Sequence, residues 1–147
     1  MSNTQTETII MTEKHDENQI LANMRGEVVK EWVYTIQQGG RSITSLSYAG
    51  VKEAVRRRGN LTWRTCECCH HLVHIDETKD EIRATVCAWD LNNNVEFIGT
   101  SSSFKSTPFA WVLAVNKAER NALRKFLPEK AIALLIQEYL SPQKKVA

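Results

Sequence analysis

The sequence predicts an α+β domain: a β-hairpin, a helix, a three-stranded antiparallel meander and a long C-terminal helix packed on the sheet. Three observations predict it. Residues 32–36 and 41–46 are rich in β-branched and aromatic side chains and are separated by Gln37, Gln38, Gly39 and Gly40, a hairpin pattern. In residues 81–91, Ile82, Ala84, Val86 and Ala88 alternate with Arg83, Thr85, Cys87 and Trp89, the period of a strand with one buried face. In residues 108–127 the apolar positions Val112, Val115, Ala122 and Phe126 recur at helical spacing, and Lys117, Arg120 and Arg124 form a separate cationic stripe with Asn121 beside it.

Taken in order, residues 1–18 are polar and almost without periodicity, so they are expected to be disordered. A single domain is expected over 19–140, followed by a flexible tail over 141–147. Ile20, Leu21, Met24 and Val28 suggest a short helix that Gly26 interrupts. After the hairpin, Ser47 offers an N-cap for a helix over 48–58, and Gly59 with Asn60 stops it. Residues 61–75 read as the first strand of the meander, 81–91 as the second and 95–100 as the third. Asn92, Asn93 and Asn94 form the second turn, because asparagine tolerates positive φ. Residues 101–107 read as a polar loop, Pro108 fits the first turn of the long helix, and a last helix covers 129–139.

The chain has 147 residues and a formal net charge of +2, so overall basicity does not announce a nucleic acid. The bases are nonetheless grouped: Arg56, Arg57 and Arg58 end the first helix of the body, and a second group spans 117–130. No apolar run approaches the ~20 residues of a membrane span, and the N-terminus lacks the pattern of a signal peptide. A cytoplasmic protein without membrane partners is expected.

Residues 66–74 concentrate three cysteines and three histidines, and zinc is the metal such ligands suit. On a strand, Cys66, Cys68, His70 and His74 would share one face, with neighbours ~6.6 Å apart, so a single ion is reached only if the chain bends. Cys87 on the next strand could add a ligand. Two readings stay open: reduced side chains in a sheet with no cofactor, or a small zinc-stabilised interaction module. Catalysis finds little support. The cysteines and histidines lack a placed acid, and Gly39 and Gly40 are not followed by a phosphate-loop lysine.

Nucleic-acid binding is better supplied. Cations at the end of the 48–58 helix complement its dipole, which is the plain structural account of them. Together with the stripe at Lys117, Arg120 and Arg124, and with Trp89 on the strand face opposite the apolar set, they could also track a phosphate backbone beside a stacking surface.

The order of elements, the meander at 84–100 and the alanine- and cation-rich segment 117–126 resemble the single-strand annealing proteins of the Rad/Red-beta/Erf recombination group. The likeness covers roughly residues 32–127. It implies a homo-oligomer, in that family a ring, which holds single-stranded DNA in a basic groove with its bases available for pairing. The matching positions are Arg120 and Arg124, then Lys117, and Arg41 on the hairpin. Leu127 and Pro128 stand where the family has a glycine, and the cysteine–histidine run has no counterpart in it.

Overall fold

In the computed structural model, which describes residues 3–62 and 73–141, the order is α1 (Asn3–Met24), β1 (Val33–Gln38), β2 (Arg41–Leu46), α2 (Tyr48–Arg58), β3 (Leu61–Thr62), β4 (Val73–Glu77), β5 (Glu81–Asp90), β6 (Val95–Phe104), α3 (Ala110–Arg124) and α4 (Glu129–Leu140). This is the expected α+β class. The chain divides into two compact units, Met1–Ala54 with Pro128–Ala147, and Val55–Leu127, where the sequence reading had one domain over 19–140.

In the first unit β1 and β2 form an antiparallel hairpin. Its two-residue turn, Gly39 and Gly40, has positive φ at both positions, which side chains resist and glycine accepts. Ser47 caps α2 as its spacing predicts: its hydroxyl accepts the Gly50 N–H at 3.2 Å and donates to the Glu31 carbonyl at 2.6 Å. A Cβ on Gly50 would lie 2.1 Å from the Trp32 carbonyl oxygen, so only glycine lets α2 start that close to the preceding chain.

The expectation of a disordered segment over 1–18 is corrected, because α1 starts at Asn3. Its weak periodicity concealed two anchoring acceptors. Asp16 accepts the Tyr48 N–H at 2.8 Å and Gln19 the Ala49 N–H at 2.9 Å, so α1 satisfies orphan amides of α2. Ile20 is buried beside them. Fully burying such a side chain contributes ~1.5–3 kcal/mol and a cap ~1 kcal/mol, enough to order a helix of poor intrinsic propensity. Gly26 ends α1, with the Glu27 N–H bonded to the Ala22 carbonyl and the Gly26 N–H to Asn23, a Schellman closure.

In the second unit β6 pairs with the whole of β5 in unbroken antiparallel register, from Asp90 opposite Val95 to Glu81 opposite Phe104. β3 and β4 share the other edge of β5. The expected strand over 61–75 is thus two strands. Thr62 lies opposite Trp89 and Val73 opposite Val86, so ten residues connect edge positions only three apart on β5. The polar run 101–107 was expected to be a loop, yet Ser101 to Phe104 extend β6, since pairing with β5 outweighs the weak strand preference of three serines.

α3 lies on the face of β5 and β6 that carries Ile82, Ala84 and Val86. Ala114, Ala118 and Ala122, spaced four apart, are fully buried. Gly99 completes the contact: a Cβ there would lie 2.2 Å from the Ala122 nitrogen and 2.3 Å from the Ala118 oxygen. Helix and strand backbones touch because neither offers a side chain larger than methyl.

Candidate nucleic-acid interface

The cationic groups of the sequence reading lie, in the Val55–Leu127 unit, on the last turn of α2 and along α3. α2 carries Arg56, Arg57 and Arg58 in its last turn and stops because Gly59 and Asn60 both take positive φ. Arg58 turns back to donate to the buried Asp90 carboxylate at the end of β5. The same carboxylate accepts the N–H groups of Asn92 at 2.9 Å and Asn93 at 3.2 Å, and the Asn93 side-chain amide at 3.1 Å. Asp90 therefore closes the β5–β6 turn and holds the end of α2. The hydrogen bond from Arg58 is the main cause that keeps its carboxyl well below the usual carboxylate range, against the opposing effect of burial.

Arg58 also lies over the ring of Phe126, 5.7 Å from its centre, and Phe126 meets Phe97 edge-on at 4.7 Å. Phe126 follows closely on α3. The arginine-rich end of α2 and the cationic end of α3 are thus neighbours, tied through one guanidinium between a carboxylate and an aromatic ring.

Around this junction the predicted residues sort into different roles. Arg56 and Arg57 are exposed, and Arg120 and Arg124 are partly exposed. Arg120 Nε and Nη2 donate to the Asn121 side-chain oxygen at 3.1 and 2.9 Å. Lys117 does not belong to a surface stripe. It is 3% exposed and its ammonium donates to the Ser102 carbonyl at 3.0 Å, so its placement as a phosphate contact is corrected. Arg58 is corrected in the same way, being committed to Asp90 and Phe126. Trp89 is half-buried on the expected strand face, opposite Glu96. Its neighbour Asp90 turns to the other face with Arg58, so Trp89 does not stand between the two arginine groups. Arg41 is exposed at the start of β2, in the other unit.

Of the candidate metal ligands, Cys66, Cys68 and His70 lie outside the described residues, and His74 is placed as a β4 backbone position opposite Thr85. Cys87 is half-buried. Burial first, then a hydrogen bond and the charge of Glu96, push its thiol up, so at neutral pH it is protonated. Among the described residues no group of three acidic, cysteine or histidine side chains could hold a metal ion. No helix among them is long and apolar enough to cross a membrane.

Sequence reasoning missed the roles of Asp90, Asn121 and Lys125. Asp90 had a readable signal, an aspartate just before an asparagine turn, the residue whose carboxylate caps nearby amides. Asn121 and Lys125 had none, because their partners are backbone carbonyls of a strand, 21 and 27 residues earlier.

In comparison with known proteins, the chain is 26% identical over 111 residues to an uncharacterized protein of Methanocaldococcus jannaschii. The match covers 73% of this chain, which spans 44% of that relative's length. No protein-family model matches the chain, and no solved structure matches it.

Proposed function

We propose that this chain binds single-stranded DNA and anneals complementary strands, acting without catalysis as a homo-oligomer. The observation that carries the reading is the junction of Arg58 with Phe126. It ties the end of α2, whose last turn carries Arg56 and Arg57, to the residues just after α3, the helix that carries Arg120 and Arg124. Such a group neutralises successive phosphates and releases their counterions, a sequence-independent source of affinity. Gripping the backbone leaves the bases accessible, which is what pairing with a second strand requires. The resemblance of residues 32–127 to the annealing proteins supports the same reading and adds the expectation of a ring of copies around the strand.

The test is binding of a labelled single-stranded oligonucleotide across a salt series, with R120A/R124A against the parent protein. Each phosphate contact on a single strand contributes about 0.7 to the slope of log affinity against log salt, so losing two flattens it by about 1.4. Unchanged affinity and slope in a folded variant would remove α3 from the interface. The mass of the particle with and without oligonucleotide checks the oligomer, and a monomer indifferent to oligonucleotide would overturn the proposal as a whole.

A further inference from the structure

Among the described residues β6 is the edge strand of its sheet on the side away from β5, and it is a hazardous edge by its own composition. It is ten residues long, its only charged side chain is Glu96, and it contains no proline and no lysine. Its register with β5 is unbroken, so no bulge twists the edge away. A long, straight, weakly charged edge of this kind accepts a strand from another molecule, and proteins usually guard such edges with charge, proline or a bulge on the strand itself. β6 has no proline and no bulge, and a single charge near one end.

The guard is on α3. Lys117 Nζ donates to the Ser102 carbonyl at 3.0 Å, Asn121 Nδ2 to the Thr100 carbonyl at 2.7 Å, and Lys125 Nζ to the Ile98 carbonyl. Three donors four residues apart on the helix thus meet three acceptors two residues apart on the strand. The spacings agree, because one helical step of four is about 6.0 Å and two strand residues span about 6.8 Å. Ser102, Thr100 and Ile98 are register partners of Arg83, Thr85 and Cys87, in alternation along β6. In an antiparallel ladder every second residue turns its N–H and C=O away from its partner strand, so these carbonyls are the ones an added strand would need. The close seat of α3 on Gly99 is what lets side chains one position before Ala118, Ala122 and Phe126 reach over the edge.

We infer that Lys117, Asn121 and Lys125 form an edge guard, which keeps β6 from pairing with β6 of a second copy of this chain. A second copy is the partner that fits, because a ten-residue edge paired antiparallel with itself about a two-fold axis matches in length and side-chain sequence. With the guard in place an incoming strand meets donors but no acceptors, and two ammonium groups stand at the edge. Assembly of copies in the DNA-binding reading then uses other surfaces, and the guard stands whether or not that reading holds.

The test compares K117M/N121A/K125A, which removes all three donors, with K117R/N121Q/K125R, which keeps them. The readouts are sedimenting mass and hydrogen exchange at the Ile98, Thr100 and Ser102 amides. The donor-free variant is expected to at least double in mass relative to the parent, with slower exchange at those three amides, while the donor-keeping variant matches the parent in both. A folded donor-free variant with parental mass and exchange overturns the inference, as does a mass increase with no protection on β6. Should the K117M change prevent folding, N121A/K125A, altered only at less buried positions, is read by the same criteria.

Discussion

α3 carries two sets of polar donors, and their fates are opposite. Lys117, Asn121 and Lys125 reach over the β6 edge and bond to its carbonyls. Arg120 and Arg124, within the same turns, lie at partly exposed positions. On a helical wheel Lys117, Arg120 and Arg124 form one stripe, and nothing local separates them. What separates them is a strand edge that passes beneath one side of the stripe. A cation near unsatisfied carbonyls becomes part of the fold, and a cation one step around the helix stays within reach of solvent. Arg58 belongs with the first set and Arg56 and Arg57 with the second.

The contrast can be broken most severely at Gly99. Gly99→Ala places a methyl within 2.3 Å of α3 backbone atoms, so the helix must lift from β6. Overpacking of this kind costs ~1–3 kcal/mol, and more where backbone rather than a side chain must yield. Denaturant unfolding should show that loss. Amide exchange should also show faster opening in β6 than in the β1–β2 hairpin, because the edge bonds lengthen as the helix lifts. Parental stability in Gly99→Ala would mean that α3 is not seated as described.

Next in size is Asp90→Asn, which keeps the shape of the turn and removes the partner of Arg58. Folding holds this carboxyl below its ordinary value near 3.8, so the folded state binds the proton less readily than the unfolded chain. The sign follows: the stabilisation is complete above about pH 4 and is lost as the pH falls through and below that value. Thermal melts should therefore place Asp90→Asn below the parent at pH 7, with the gap closing toward pH 2. A gap that stays constant with pH would show that Asp90 acts by shape and not by charge.

The order of elements was readable because each depends on neighbours in sequence. Gly39 and Gly40 specify a tight turn, Ser47 and Gly59 bracket α2, and the alternation from Ile82 to Ala88 declares a one-sided strand. The last turns of α1 and their stop at Gly26 were readable, but residues 3–18 were not, because the helix is anchored by amides of α2 about thirty residues away and its own polar sequence argued for disorder. The site divided in the same way. That cations cluster at the ends of α2 and α3 was legible. Which of them are spent on the fold was not, since Lys117 depends on where β6 runs and Arg58 on where the β5–β6 turn places Asp90.

The exposed set is sharpened by replacing Arg56 and Arg57 with alanine in addition to Arg120 and Arg124. Substitutions at positions away from the core usually change stability by within ~0.5 kcal/mol, whereas oligonucleotide affinity should fall by roughly tenfold or more, since each 1.4 kcal/mol is tenfold. If R56A/R57A alone matches the parent while R120A/R124A binds weakly, the strand follows α3 without using the end of α2, and the junction at Arg58 is structural alone.

The smallest effect on binding is expected at Lys117, and that makes it the sharpest control. By sequence it sits in the same stripe as Arg120 and Arg124, so a stripe-wide phosphate rail requires Lys117→Met to weaken DNA binding and lower the salt slope by about 0.7. Its ammonium is instead buried against the Ser102 carbonyl. The substitution should then cost about 1–3 kcal/mol of stability, the penalty for leaving a buried acceptor unmatched, and leave affinity and slope at the parent's values in the folded fraction. Lys117→Met is thus expected to lower stability and not binding, and R120A/R124A to lower binding and not stability. Measured on the same preparations, that crossing tests whether the cations that build this helix's seat are distinct from those the proposed DNA contact requires.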